Sequence, residues 1–268
     1  MTSYLITGGA GFIGSHLCEA LVNAGDECVV LDDLSTGISA NLVAVEQSTR
    51  LRFVHGSVLD ELAVDDLVHK VDAVVHLAAA VGVRLIIEQP LRSLRTNIRG
   101  SEIVFEAAHR HRKKILLAST SEVYGKSPDI PLSEDADRVL GSPRIARWAY
   151  STAKTVDEIL AYAYEKDRGL DAIVVRLFNT IGPRQTAAYG MVVPRLVDQA
   201  LSDRPLTVFG DGLQTRCFCH VHDVVDAIVL LLRYDRTGES PFNVGSQEEV
   251  SILDLAKRIR ILAGSSST

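Results

Sequence analysis

The chain has 268 residues, 47% of them hydrophobic and 23% charged, the balance of a soluble globular protein and not of a disordered one. Its net charge of −6 offers no electrostatic pull toward nucleic acid or an anionic membrane, so a phosphate-bearing ligand must be held by local devices. The start, MTSYLITGGAGFIG, shows no export signal, and the longest apolar run, AIVLLL at 227–232, is too short to span a bilayer. Cys18, Cys28, Cys217 and Cys219 have no disulfide-framework spacing, and a cytoplasmic location is expected.

In chain order, SYLITGG predicts a strand, HLCEALVNAG a helix and ECVVLDD a strand. RFVHGS, DAVVHLAA, KKILLAS and DAIVVRLFN predict further strands, with amphipathic helices at 93–111 and 149–167. Apolar strands without alternation, separated by helices, indicate a parallel sheet covered on both faces, a doubly wound α/β (Rossmann) fold. Beyond residue 180 the rhythm loosens: VVPRLVDQALSD reads as a helix, LTVFG and TRCFCHV as short strands, HDVVDAIVLLLRY as a helix. Residues 1–180 are expected to form a nucleotide-binding domain and 181–268 a smaller substrate-binding region, incomplete at its C-terminal end. The terminal GSSST reads as frayed or cut.

LITGGAGFIGSHL places Gly9-x-Gly11-x-x-Gly14, with Gly8 in addition, between a strand and a helix. Glycine lets a pyrophosphate approach the backbone, and the helix N-terminus supplies amide donors and a favourable dipole. Asp32 ends the next strand eighteen positions after Gly14, where a carboxylate accepts ribose hydroxyls and repels a 2′-phosphate. With Asp33 following, NAD is expected over NADP.

AYSTAK puts Tyr150 and Lys154 at i and i+4 on one helix face. A phenol ionises at about pH 10, and an adjacent ammonium would lower that value toward a useful base. Tyr150 could then remove a hydroxyl proton while hydride leaves the same carbon, and Thr120, at the end of KKILLAST, would hydrogen-bond that oxygen. RCFCHVH offers ligand types in Cys217, Cys219, His220 and His222, but alternation along a strand would leave two on each face, and no metal is expected. HRHRKK at 109–114 closes a helix, where cations suit the dipole, so no nucleic acid is implied.

Together TGGAGFIG, DDLSTG, HLAA, TSEVYG, YSTAK, RLFNTIGPRQ, LTVFGDG and QTRCF resemble the extended short-chain dehydrogenase/reductase family, in its nucleotide-sugar epimerase, dehydratase and decarboxylase group. The resemblance runs through about residue 262. It implies an enzyme with resident NAD that oxidises C4 of a nucleotide sugar, UDP favoured, and later returns the hydride. It implies Thr120, Tyr150 and Lys154 as the catalytic set. Around the cofactor it places Gly8, Gly11, Phe12, Ile13, Gly14, Asp32, Asp33, Ser35, Thr36, Gly37, Ser57, Val58, Leu77, Ala78, Ala79, Asn97 and Phe178. Gly56-Ser57 stands where many members have Gly-Asp, so one hydrogen bond to adenine is either missing or made by backbone. Around the substrate the resemblance implies Asn179, Arg184, Val193, Leu196, Thr207, Phe209, Gln214 and Arg216. It also implies a homodimer through helices around 95–111 and 150–166.

The fate of the 4-keto sugar turns on Glu122. Return of hydride to the opposite face needs no further acid or base. Loss of carbon dioxide from C5, or of water across C5 and C6, needs a group that manages a proton at C5, and Glu122 is placed to be it. DDLSTG is nearer to the 4-epimerases, whereas TSE and QTRCF resemble the decarboxylases, and TSE also the GDP-mannose dehydratases. A UDP-glucose or UDP-glucuronate 4-epimerase is the main expectation, with UDP-glucuronate decarboxylation or 4,6-dehydration as the alternatives.

Overall fold

A computed structural model describes residues 1–81, 88–187, 190–234 and 238–268. Its centre is a seven-stranded sheet in the order β10-β6-β5-β4-β1-β2-β3, every pairing parallel. The strands are β1 (Ser3–Thr7), β2 (Glu27–Asp32), β3 (Leu51–His55), β4 (Ala73–His76), β5 (Lys114–Thr120), β6 (Ala172–Leu177) and β10 (Phe242–Val244). Central strands such as β4 are buried throughout, which is why their apolar residues do not alternate.

Both faces are covered. On one, α1 (Phe12–Asn23) and α7 (Val221–Leu232) bring Leu17, Leu21, Val224 and Ile228 against Ile6, Val30 and Val75. On the other, α2 (Glu61–His69), α4 (Gly100–Arg110) and α5 (Trp148–Arg168) bring Val64, Leu67, Val104, Phe105 and Ala161 against Leu5, Val74 and Leu117. The doubly wound reading is thus the observed fold. The chain reverses winding direction between β1 and β4, and the crevice at their carboxyl ends is where such sheets bind ligands.

The helix predicted over 93–111 is three pieces: α3 (Pro90–Leu94), a π-helical turn at Arg95–Arg99, and α4. α5 ends on Gly169, whose φ of 65° supplies the left-handed cap.

The C-terminal part differs from expectation in four ways. LTVFG forms no strand: the Leu206 amide donates to the Thr268 carbonyl and the Thr207 amide to Gln199 Oε1, so no neighbouring ladder takes this segment. TRCFCHV breaks at Phe218. β8 (Thr215–Cys217) pairs antiparallel with β11 (Glu249–Ser251), and β9 (Cys219–His220) pairs parallel with β7 (Thr180–Ile181). His222 therefore lies on α7, so strand alternation does not apply to it; among the described residues no group of three or more His, Cys, Asp or Glu could hold a metal ion. The terminal serines are docked, with Ser265 and Ser266 donating to Asp203 Oδ1 and Ser267 buried. Finally, residues past 180 also serve the main sheet, since β10 forms its edge beside β6 and α7 packs on α1. The remaining helices, α6 (Val192–Leu201) and α8 (Ile252–Leu262), share a separate small core of Leu196, Ala200, Ala256 and Ile259.

Candidate active site

At the end of β1 the chain turns through Gly8 at φ 73°, where a Cβ would lie 2.8 Å from the Ala78 nitrogen. A Cβ on Gly14 would lie 2.4 Å from the Gly8 carbonyl oxygen, so the turn closes only with glycine at both positions. α1 then starts after Gly11, which has no side chain to cap it, and the amides of Phe12, Ile13 and Gly14 open the helix at the positive end of its dipole.

Asp32 is buried at the end of β2. Its Oδ2 accepts from the Ala10 amide at 2.9 Å and its Oδ1 from the Leu34 amide at 2.8 Å, while burial pushes its carboxyl up. The loop that follows closes on the glycine turn: the Ile38 amide and Asn41 Nδ2 both donate to the Ala10 carbonyl, and Gly37 is buried against Ala10. Asp33 accepts from the Ser35 amide, and Ser35 and Thr36 face solvent.

A cavity of about 330 Å³ lies beside Asp33 and Ser57, lined also by Leu59, Leu91, Arg92, Arg95 and Thr96. Val58 packs beneath it, against Gly100 of α4. The Leu77 amide donates to the Thr7 carbonyl and the Ala78 amide to Thr7 Oγ1, so this strand end is fixed to the glycine turn, with Ala79 half-buried next in line. Asn97, on the π-helical turn, spends its amide on the loop, with Oδ1 accepting from the Ala80 amide at 2.7 Å and Nδ2 donating to its carbonyl. Phe178 follows β6, and its ring lies 6.1 Å from that of Tyr124. A dinucleotide fits this set: a backbone cradle that side chains would fill, a buried carboxylate one strand away, and a cavity beyond it.

Thr120 ends β5 and caps the short 3₁₀ turn Ser121–Tyr124, its Oγ1 accepting from the Glu122 amide at 3.2 Å. Glu122 is exposed, Tyr150 half-buried and Lys154 buried. Burial, with the Asp157 and Glu122 anions, pushes the Tyr150 phenol up. The adjacent ammonium was expected to lower this group, whereas here burial comes first and raises it. The Lys154 ammonium is bound by Asp157 Oδ2 at 3.1 Å, one helical turn further on.

The residues expected around the substrate are less gathered. Asn179, at φ 30°, donates from Nδ2 to the Cys217 carbonyl and accepts the Cys219 amide on its own carbonyl, joining the two short sheets. Gln214 Nε2 donates to the Phe209 carbonyl, Arg216 to the Thr215 carbonyl, and Arg195 stacks over the exposed Phe209 ring at 4.7 Å. Thr207 is bracketed by Gln199. Leu196 is fully buried and Val193 packs beside it, both in the α6–α8 core. Arg184 is turned to α1, where it pairs with Glu19 at 2.6 Å and donates to Ser15.

Sequence reasoning missed the charged network beneath the reacting residues. Arg176 on β6 makes two hydrogen bonds to Glu158 on α5, at 3.0 and 2.8 Å, and a third to the Tyr124 hydroxyl at 2.8 Å. Ser119 also donates to Glu158, and Tyr124 donates to Asn243 Oδ1 on β10. Nearby, His76 is fully buried between Thr7 Oγ1 at 2.7 Å and Ser101 Oγ at 3.0 Å. The available signal was an arginine inside VVRLF and an Asp-Glu pair inside an otherwise amphipathic helix.

The sequence profile of the NAD dependent epimerase/dehydratase family matches residues 4–245. The chain is 41% identical over 264 residues to UDP-N-acetyl-alpha-D-glucosaminuronate decarboxylase of Bacillus cytotoxicus, covering 98% of this chain and 81% of that protein. It is 35% identical to UDP-glucuronic acid decarboxylase 1 of Arabidopsis thaliana, where it covers 98% of itself but only 59% of the relative's length. Among solved structures, UDP-glucuronic acid 4-epimerase from Bacillus cereus, in complex with UDP-glucuronic acid and NAD, superimposes with a TM-score of 0.88 at 33% identity, covering 99% of this chain and 84% of that one. With its glycine cradle, acidic strand end and Tyr-Lys helix, the chain belongs to the NAD dependent epimerase/dehydratase family of enzymes, in the extended short-chain dehydrogenase/reductase group, and uses NAD.

Proposed function

We propose that the protein decarboxylates a UDP-hexuronate through a 4-keto sugar. The observation that carries this reading is Glu122, exposed in the turn after β5 and close enough to Tyr150 for its charge to act on the phenol, in a chain 41% identical to a UDP-sugar-acid decarboxylase. This favours the alternative over the 4-epimerase that was the main expectation from sequence.

Bound NAD supplies the hydride acceptance and return at C4. Gly8, Gly11 and Gly14, the first turn of α1, Asp32 and the cavity beside Ser57 would hold it. Tyr150 takes the proton of the C4 hydroxyl, with Thr120 as a hydrogen-bond partner to the same oxygen. Because burial first, and then the Asp157 and Glu122 anions, push the phenol up, the Lys154 ammonium must act against all three for Tyr150 to serve as base near neutrality. A hexuronate ketonised at C4 is a β-keto acid, and its carboxylate departs without a further base. What remains for the protein is to deliver a proton to C5, and Glu122, exposed to solvent, would take that proton up from water as a carboxylate and pass it on as the acid. A 4-epimerase would leave Glu122 without a task.

Asn179, with Phe209, Gln214 and Arg216 from residues 181–268, would present the nucleotide, and a homodimer would form through α4 and α5. A cytoplasmic setting is proposed on the four free cysteines, as a reducing compartment would keep them. Among the described residues no helix is long and apolar enough to cross a membrane.

The test is incubation with UDP-glucuronate, UDP-N-acetylglucosaminuronate and UDP-glucose separately, with products read by mass and proton NMR. Loss of carbon dioxide from one of the acids is expected. Unchanged mass with inverted C4 would make the protein an epimerase, and loss of water a dehydratase.

A further inference from the structure

Asp157 lies one turn beyond Lys154 on α5 with no exposed surface. Its Oδ2 binds the Lys154 ammonium at 3.1 Å, and Ser101 of α4 lowers its carboxyl further. Full burial of an ionised aspartate is costly unless a cation holds it, and here that cation is Lys154. An apolar residue would suit a position between α4 and α5 better, and the buried Glu158 next to it is already matched by Arg176 and Ser119. What the carboxylate does touch is the ammonium that shares a helix face with Tyr150.

We propose that Asp157 is a positioning residue for the reaction: by binding the Lys154 ammonium it withholds part of that charge from Tyr150, and so sets the pH above which Tyr150 can accept a proton. This rests on the reading of Tyr150 as the base under the proposed function. The groups around the pair act in defined directions. Glu122, from the turn after β5, and Asp157 both oppose ionisation of Tyr150. Burial pushes the Asp157 carboxyl up, Lys154 and Ser101 of α4 pull it down, and Glu158 pushes it up again. His76 of β4 stays neutral beside Lys154, held well below the usual histidine range by burial and by that ammonium, so it adds no charge. Neutralising Asp157 removes one anion from Tyr150 and releases the ammonium to it, and both changes favour the phenolate.

The experiment is an ultraviolet titration of the tyrosinate band, which needs no turnover. Subtracting the Tyr150→Phe curve from that of the parent isolates Tyr150, and the same subtraction is made in an Asp157→Asn background. The Tyr150 midpoint is expected to fall by on the order of one pH unit in Asp157→Asn, and the acidic limb of kcat against pH to move with it, while KM changes less than about threefold. Asp157→Ser, smaller and also neutral, is read in parallel should the amide not be accommodated. An unmoved or raised midpoint in the folded variants, or failure of both to fold, would overturn the proposal by making Asp157 a residue of the fold only. Failure of the underlying reading looks different: Tyr150→Phe would keep full turnover whatever the titration shows.

Discussion

The two halves of the site are built differently. Around the dinucleotide cradle, charges and amides are tied to one another: Asp32 to Ala10 and Leu34, Ala78 to Thr7, Asn97 to Ala80, His76 to Thr7 and Ser101. Around residues 207–216, side chains bond, among the described residues, to near neighbours in sequence or to Gln199 and Arg195, and Phe209 and Arg216 are exposed. The ion pairs repeat the contrast. Arg176–Glu158 is buried and bidentate, whereas Arg204–Asp198 has more than half of each side chain in water. Pre-organisation is concentrated around the glycine cradle and the buried network of α5 and β6, and residues 207–216 are held by weaker, local contacts.

The sharpest way to break this comparison is at Tyr150. Tyr150→Phe is expected to lower kcat by roughly 10²–10⁴-fold with NAD still bound, as read by single-turnover assay and by cofactor content after gel filtration. A variant that loses NAD as well would mean the two functions are not separable. Next comes Arg176→Leu, which leaves Glu158 buried without its cation and should cost about 3–5 kcal/mol in denaturant unfolding. The double replacement with Glu158→Leu should recover much of that loss, and a purely additive result would deny the pair its coupling.

His76 gives a pH test of the same half. Its folded value is held at about 3 against an ordinary 6.5, chiefly by burial and then by Lys154. A depressed group contributes stability that is present above the unfolded value and lost as pH falls, so the loss should run from about pH 6.5 toward 3 and reach on the order of a few kcal/mol. His76→Gln should flatten that slope in thermal melts across the range. The smallest effect is expected in the other half: Arg216→Ala should raise KM for the nucleotide sugar about tenfold and leave stability within about 0.5 kcal/mol. A loss of fold there would erase the contrast between the regions.

The cradle was legible because its residues lie close together in sequence and each obeys a backbone rule. Gly8 needs positive φ, Gly14 has no room for a side chain, and Asp32 ends the strand next to the turn. Tyr150 and Lys154 were legible for the same reason, since i and i+4 share a helix face. What was not legible is what approaches from elsewhere in the chain. Arg176 meets Glu158 across 18 positions and Tyr124 across 52, and nothing local marks that encounter. The effect of Asp157 was hidden by the same limit. Spacing places it near Lys154, but its complete burial and the weight of its charge on Tyr150 follow from how α4 packs on α5. LTVFG misled because it has strand-like residues but no strand beside it to receive their amides.

The central claim, that the 4-keto sugar is resolved by loss of its C5 carboxylate and protonation through Glu122, is tested most directly by turnover of a UDP-hexuronate in deuterated water. The account predicts a pentose product that has lost carbon dioxide and carries a single deuterium at C5, formed much more slowly by Glu122→Gln. A hexuronate product of unchanged mass, inverted at C4 and free of deuterium, would contradict it.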